Sequence, residues 1–440
     1  MPARALADRA PGAVSGMVTA WLLAGRGGFR LAGQLMTVVL AAVWGARTYA
    51  QFANAVGVCV WLAYLPTAAE KAALKLVPRG GVLAADLARP AFWAAVGPAL
   101  LLAVATGVAA LVAPTSTAVL YLATATWSTC TGGLMTLSGL HRLNGRPALD
   151  SRSFGVAAVL VVAVTAVTWR AGLRPATHVL LLVAAITPVL VLSAAALPVG
   201  WRRGRARRRV GRLFARTLVL MGVTELVDAV ALGILFVLLA AYGRLADSGP
   251  FYLTVLPFGA LGSVMLYLLR VRQPQVSLRL RGTGAAAGRA GAERILRGVE
   301  RIGAGCLVAA VAALAVPSVR ERLGAAPGTG GGAGWQSYAL LAVLGAVELA
   351  GYLAVTYAGY LLENTTGAVL TRTAAAGLGR LAVAVVAGAV LVGPAGVYGA
   401  FAALIVSLVA HAALLRRLTR RPARRPAGPT DPWAPAPGTP

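Results

Sequence analysis

Long apolar stretches recur along the whole chain, and short polar stretches separate them. Twelve of these stretches approach the roughly 17–25 residues that a helix needs to cross a bilayer. Because a helix satisfies its own backbone hydrogen bonds, the pattern predicts an all-α, polytopic membrane protein with twelve transmembrane helices. The predicted spans are 17–43, 48–66, 91–112, 117–139, 154–170, 177–198, 214–242, 251–269, 302–318, 336–362, 374–393 and 395–415.

Composition and charge agree with this pattern. The 440 residues are 58% hydrophobic and 12% charged, whereas soluble domains are about one quarter charged. If the N-terminus is cytoplasmic, 32 of the 41 Lys and Arg residues fall on the inner side and 6 on the outer side. This asymmetry predicts that both termini are cytoplasmic in a cell membrane. The net charge of +28 then indicates contact with anionic lipid, not with nucleic acid.

The order of the spans predicts two pseudo-symmetric six-helix lobes around a central cavity. A basic linker at 201–213 separates an N-terminal lobe, 17–200, from a C-terminal lobe, 214–416. Similar charged segments follow the second and eighth spans, EKAALKLVPRG at 70–80 and AERILRGVERIG at 292–303. Both are typical of amphipathic helices in the inner interface, and their matching positions indicate an internal repeat. The remaining segments are a cytoplasmic N-terminus, 1–16, and an Arg/Pro-rich tail, 417–440, predicted to be disordered.

The first span carries two arginines in its apolar sequence. Arg26 and Arg30 are four residues apart, so they share one helix face, and Gln34 extends the same row. An arginine within a span costs about 2.5–3.5 kcal/mol on insertion scales. The pair therefore indicates a face that lines a wet cavity or meets a partner. The alternative is that both side chains extend to a nearby interface.

The seventh span carries the opposite charge. Glu225 and Asp228 are three residues apart and share a face. An alignment of Trp44-Gly45 with Tyr242-Gly243, 198 residues further on, places Arg30 opposite Asp228 and Arg26 beside Glu225. These residues are candidates for a charge pair between the first and seventh helices, or for binding a coupling cation.

Further polar side chains lie within other spans. Glu348 of the tenth span is a candidate to bind H⁺ or Na⁺, or to pair with a tyrosine or with Arg380. Gln51 and Asn54 form a polar row in the second span, which indicates that they line the same cavity.

Several kinds of catalytic chemistry have no signal in the sequence. There is no phosphate-binding GxxxxGK[ST] loop, no HExxH and no nucleophile elbow. The three cysteines are far apart and lack metal-ligand or redox spacing. The sequence therefore predicts no catalytic residues, no cofactor and no metal, and argues against an enzyme.

Local motifs resemble those of polysaccharide flippases of the multidrug/oligosaccharidyl-lipid/polysaccharide exporter superfamily. The resemblance is carried by WGARTYAQFANAVGV and LPTAAEKAALKLVPRG in the first lobe. In the second lobe it is carried by GPFYLTVLPFGALGSVMLYLLRVRQPQVS and by VGPAGVYGAFAALIVSLVAHAALL at the end. These motifs consist mainly of glycines and apolar spacing, and together they extend over residues 17–416.

The resemblance implies two six-helix lobes in a V shape, with a cavity that opens to each side in turn. It also implies a lipid-linked oligosaccharide substrate with an anionic diphosphate, which Arg26 and Arg30 would bind. The related lipid II flippases have fourteen helices and additional cavity arginines, neither of which is clear here. The acidic residues of the seventh span instead resemble those of drug exporters, so a cation-coupled exporter of a small amphipathic molecule is the alternative. A glycan-assembly enzyme or a scaffold is a third hypothesis.

Overall fold

The computed structural model of the chain describes residues 16–113, 116–203, 207–280, 284–314, 335–365 and 367–420. Within these residues all regular secondary structure is helical. Single turns at Val60–Ala63, Gly81–Leu83, Val199–Arg202 and Leu245–Asp247 join some of the long helices. The long helices are α1 (Gly16–Cys59), α2 (Tyr64–Gly80), α3 (Ala84–Val112), α4 (Thr117–Leu143), α5 (Pro147–Ala171), α6 (Pro175–Ala195), α7 (Arg208–Ala241), α8 (Ser248–Arg279), α9 (Gly284–Leu314), α10 (Trp335–Glu363) and α11 (Gly367–Arg420).

Each predicted span overlaps a helix, although some helices extend well beyond the span: α8 ends at Arg279, ten residues past the predicted end, and α9 begins at Gly284, before the predicted start at 302. α1 holds the first span and most of the second and bends at Gly45, while the second span continues into the start of α2; α11 holds the last two spans and bends at Gly396. α3 to α10 correspond to the third to tenth spans. The end of the ninth predicted span, the N-terminus before residue 16 and the tail beyond residue 420 lie outside the described residues.

The protein is a polytopic all-α membrane protein. Seven described helical stretches, some of which combine consecutive helices, are long and apolar enough to cross a membrane. Large apolar side chains such as Leu31, Leu35 and Val38 are exposed on them, as expected of a surface that faces lipid.

α4 is not among these stretches because it is rich in threonine. It is enclosed by α2, α3 and α6, and its Thr124, Thr129 and Thr131 hydroxyls donate to carbonyls four residues earlier.

The helices form two bundles whose apolar cores are largely distinct. The N-terminal bundle, α1–α6, surrounds one large cluster of apolar side chains that includes Phe52, Leu134 and Phe154, and Phe214 of α7 also packs into it. The C-terminal bundle, α7–α11, contains two clusters, one around Phe251 and one around Leu296. The bundles meet where α2 packs on α7 and α8, and where α1 packs on α7 and α8.

Matching glycines support the internal repeat. Gly45 joins the first two helical arms with φ of 69°, and Gly243, 198 residues later, follows α7 with φ of 71°. Positive φ is a backbone conformation that glycine adopts without steric cost. The offset derived from the sequence therefore relates two turns of the same handedness.

The segment predicted as an interfacial helix after the second span lies inside the protein instead. α2 is enclosed by α3, α4, α7 and α8, and its Glu70 and Lys75 are buried. The reason is that its charged side chains find partners on neighbouring helices, so they do not need the aqueous interface. The corresponding segment at 292–303 is part of α9, where Ala292 and Leu296 pack into the C-terminal core.

We expect Gly25→Ala to destabilise the protein, because α1 approaches α5 closely at this residue. A Cβ atom at Gly25 would lie 2.7 Å from Ser151 Cα and 2.8 Å from Ser151 O. Backbone atoms cannot move aside by rotation, so overpacking of about 1–3 kcal/mol is expected. Thermal unfolding of the purified protein measures the effect. Gly28→Ala is the matched control, since a Cβ there meets nothing within 4 Å, and equal midpoints for the two variants would contradict the prediction.

Candidate functional site

A cavity of about 120 Å³ between the two bundles is the main candidate site, and we call it cavity A. Three arginines line it: Arg26 and Arg30 from α1, and Arg270 from α8. None of the described residues that line it is acidic. The rest of the wall is mostly apolar or aromatic, with three hydroxyl-bearing residues, Thr67, Thr131 and Ser263; its aromatic members are Phe29, Tyr64, Phe154 and Tyr267. Cavity A therefore combines positive charge with an apolar surface.

Arg26 is held firmly within this wall. Its Nε lies 3.1 Å from Asp150 Oδ1, and its Nη2 lies 3.7 Å from Glu70 Oε1. Its guanidinium group also lies over the Tyr267 ring, 4.2 Å from the centroid, and over the Phe154 ring, 5.0 Å from the centroid. Carboxylates and aromatic faces together compensate for the burial of this charge.

Arg30 differs from its neighbour. It is half-buried, lines cavity A, and has neither an ion pair nor a hydrogen bond with the described residues. A cation that is removed from bulk water without a carboxylate has a desolvation cost that a bound anion would offset. Arg30 is therefore the charge in cavity A that is available to a ligand.

Arg26 and Arg270 of cavity A belong to one continuous network of ion pairs with six other charged side chains. Glu70 receives Arg142 Nη2 at 2.6 Å and Arg270 Nη1 at 2.8 Å, and Arg270 also pairs with Glu225. Lys71 lies 3.6 Å from Glu225 and 2.7 Å from Glu363. With Arg26 and Asp150, the network contains four cations and four carboxylates, so its formal charges balance. The members are Arg26, Glu70, Lys71, Arg142, Asp150, Glu225, Arg270 and Glu363.

Two smaller cavities adjoin cavity A on the side of the C-terminal bundle, and Tyr64 and Leu266 line all three. Cavity B contains Lys71, Glu225 and Glu363 of the network. Cavity C is lined by Asp228, Glu348 and Arg380. Asp228 pairs with the fully buried Arg380, whereas Glu348 has no ion pair or hydrogen bond with the described residues.

The structure differs from the pairing expected between the first and seventh helices. Arg26 pairs with Asp150 and Glu70 of its own bundle, and Asp228 pairs with Arg380 of its own bundle. The sequence repeat places these charges at equivalent depth. Equal depth does not by itself bring two helix faces into contact. Each arginine therefore pairs with a nearer carboxylate of its own bundle: Arg26 with Asp150 and Glu70, and Arg380 with Asp228.

The remaining predicted cavity residues lie elsewhere. Gln34 donates to Leu256 O at 3.5 Å, and Gln51 is exposed, so neither lines one of the three cavities. Asn54 is buried and fully bonded: it donates to Phe236 O and Ser248 Oγ, and it accepts from the Tyr121 hydroxyl at 2.7 Å. These contacts give Asn54 a role in joining α1 to the C-terminal bundle.

Sequence reasoning missed several members of the site because it placed them in inner loops. Arg270, Glu70 and Asp150 follow or precede apolar runs, so hydropathy assigned them to the cytoplasmic side. The available signal was the spacing of Lys71, Lys75 and Arg79, which lie four residues apart on one face of α2. In the described residues, no group of three or more His, Cys, Asp or Glu side chains could hold a metal ion.

The arrangement of the helices has counterparts among solved structures of membrane transporters. A MOP superfamily transporter from Pyrococcus furiosus is 11% identical, with 95% of this chain and 96% of that chain covered and a TM-score of 0.51. A mutant of the Vibrio cholerae MATE transporter VcmN is 13% identical, with 96% and 98% covered and a TM-score of 0.51. At these identities the likeness concerns the fold. No protein-family model matches the chain, and no curated protein matches it.

We expect Arg26 and Arg30 to differ sharply in their effect on stability. Arg26→Gln leaves Asp150 without its main partner, and breaking a buried ion pair costs about 3–5 kcal/mol. Arg30→Gln removes no ion pair or hydrogen bond with the described residues, so a change below about 1 kcal/mol is expected. Denaturant unfolding of the detergent-purified variants measures both. Equal losses of stability would show that Arg30 has a structural role similar to that of Arg26.

Proposed function

We propose that the protein is a secondary-active transporter that flips a lipid-linked oligosaccharide across the cytoplasmic membrane by alternating access. The observation that carries this proposal is Arg30, an unpaired cation in cavity A between Arg26 and Arg270. Guanidinium groups bind phosphate oxygens in a bidentate manner, so the three arginines suit the diphosphate of a lipid carrier. The apolar and aromatic part of the wall suits the rest of such an amphipathic molecule.

The division into two bundles supports alternating access. We infer that 17–200 and 214–416 move as lobes, joined by the basic linker 201–213, with the segments 1–16 and 417–440 cytoplasmic. The excess of Lys and Arg on the inner side supports this orientation and would attract an anionic lipid carrier and anionic lipid. The proposed activity requires movement of the substrate and no bond cleavage, in agreement with the lack of catalytic motifs.

Cavity polarity is the feature that bears on the substrate. The solved Pyrococcus furiosus transporter is described as having a binding pocket of reverse polarity that suggests a different function. In this chain the wall of cavity A is cationic, which favours an anionic substrate such as a sugar diphosphate lipid.

A second candidate function is cation-coupled export of a small amphipathic molecule. The observation that favours it is Glu348 in cavity C, an unpaired carboxylate next to the Asp228–Arg380 pair. A carboxylate in this setting is suited to bind H⁺ or Na⁺. Coupling through Glu348 is also compatible with the first proposal, in which a cation gradient drives the flipping of the lipid.

We expect Arg30→Gln to reduce flipping of a fluorescent lipid-linked oligosaccharide in proteoliposomes. Loss of a charge-assisted hydrogen bond of about 1.5–3 kcal/mol corresponds to roughly 10–150-fold weaker binding. The matched control is Arg47→Gln, which removes the same charge from an exposed position. Full activity of Arg30→Gln, or transport of a soluble amphipathic dye without transport of the lipid, would overturn the proposal.

We expect Glu348→Gln to abolish the acceleration of transport by a proton or sodium gradient. Glutamine keeps the shape of the side chain but cannot carry the charge that binds a cation. Transport is measured in proteoliposomes with and without an imposed gradient of each ion. Glu300→Gln is the control, because Glu300 pairs with Arg416 within the C-terminal bundle and lies outside the three cavities. A gradient response that Glu348→Gln leaves unchanged would exclude Glu348 as the coupling residue.

A further inference from the structure

Glu70 is bound by arginines from both bundles. Its carboxylate accepts from Arg142 at 2.6 Å and from Arg270 at 2.8 Å, and it lies 3.7 Å from Arg26. Its side chain is fully buried. Arg26 and Arg142 belong to the N-terminal bundle, and Arg270 belongs to the C-terminal bundle. A single buried anion therefore joins three cations across the interface between the bundles.

The position of Glu70 relates it to cavity A. Two of its three partners, Arg26 and Arg270, also line that cavity. The ion pairs between the bundles include Glu70–Arg270, Lys71–Glu225 and Lys71–Glu363. Of these three, only Glu70–Arg270 includes a residue of cavity A. This pair thus connects the contact between the bundles with the proposed binding site.

The contacts that accompany it lie on the inner side of the protein. Lys75 donates to Glu363 O at the last residue of α10, and Arg79 Nη2 donates to Ser277 O near the end of α8 at 2.6 Å. Both helices end on the side to which the charge asymmetry assigns the cytoplasm. Separation of the bundles on this side requires the Glu70–Arg270 pair to break.

Without Glu70, Arg26 and Arg142 would share Asp150, and Arg270 would keep only Glu225, which also pairs with Lys71. The network would then hold four cations and three carboxylates, so one positive charge would lack compensation in a region of low dielectric constant. Either of two anions can supply the missing negative charge: the carboxylate of Glu70, or an anionic group bound in cavity A, which Arg26 and Arg270 line. We propose that Glu70 is an internal substitute for the anionic headgroup, which allows the empty transporter to close on its cytoplasmic side. The ligand class that Glu70 replaces is a phosphate or diphosphate group, so the proposal rests on the proposed function of cavity A.

The consequence concerns the transport cycle. A carrier that closes only around its substrate exchanges one substrate molecule for another, because the empty form cannot return. A carrier with its own anion returns empty and moves substrate in one direction. The structure assigns this return step to Glu70.

The test measures closure of the inner side in the absence of any lipid-linked sugar. A reporter cysteine replaces Ser277, which is buried beside Arg79 at the inner end of α8, after Cys59, Cys130 and Cys306 are changed to alanine. The rate of its reaction with a hydrophilic maleimide in nanodiscs reports opening. We expect Glu70→Gln to increase the rate roughly tenfold or more, as loss of a charge-assisted bond implies. Addition of inorganic pyrophosphate should return the rate towards that of the parent protein.

The controls separate this role from a general loss of structure. Glu300→Gln removes a carboxylate that pairs within one bundle, and it should leave the labelling rate unchanged. Glu70→Asp retains the anion and should label more slowly than Glu70→Gln. If Glu70→Gln does not fold, Arg270→Gln breaks the same link from the other bundle and should also raise the rate.

Two results would overturn the proposal. A Glu70→Gln rate equal to that of the parent protein would show that Glu70 does not control closure. A raised rate that pyrophosphate does not lower would show that Glu70 joins the bundles without substituting for a ligand. Neither result depends on flipping of a lipid-linked sugar, so failure of the proposed function is recognised separately in the flipping assay.

Discussion

Buried charges that must be neutralised within the membrane determine much of this structure. An isolated charge in an environment of low dielectric constant costs several kcal/mol, so it is tolerated only beside a partner. Four cations and four carboxylates beneath cavity A meet this condition by forming one network. Because that network is balanced, the positive charge of Arg30 remains without a partner among the described residues. The availability of Arg30 to a ligand is a result of this balance.

The two bundles are joined differently at their two ends. At the end where α8 and α10 terminate, the described contacts include ion pairs of Lys71 and Arg270 and hydrogen bonds to helix ends. Around Asn54 the contacts are of another kind: Asn54 bonds to Phe236 O and Ser248 Oγ, and Gly57 allows α1 to approach the Phe236 ring closely. Charge contacts can be replaced by water or by an anion, whereas close packing requires helices to separate. The contacts at the ends of α8 and α10 are therefore the ones that a bound anion can influence.

Charge is also distributed unequally between the cavities. The described wall of cavity A contains arginines and no acidic residue, while cavity C contains Asp228 and Glu348 with Arg380. Tyr64 and Leu266 line both cavities, so an anion in one and a cation in the other would lie close together, around the same two side chains. This arrangement provides a physical basis for coupling the proposed anionic substrate to a cation.

The sequence by itself determined the helices, their approximate limits and the internal repeat, because a span in lipid must satisfy its own backbone and be apolar over a definite length. It also identified Arg26, Arg30, Asp228 and Glu348 as unusual, since each interrupts an apolar run. Only the tertiary structure decided their partners. Arg26 meets Asp150, 124 residues away, and Arg270 meets Glu70, 200 residues away. Such pairings depend on which helix faces meet, and hydropathy and depth do not determine that. For this reason the two arginines of the first span differ in the folded protein: Arg26 is paired, and Arg30 is available to a ligand.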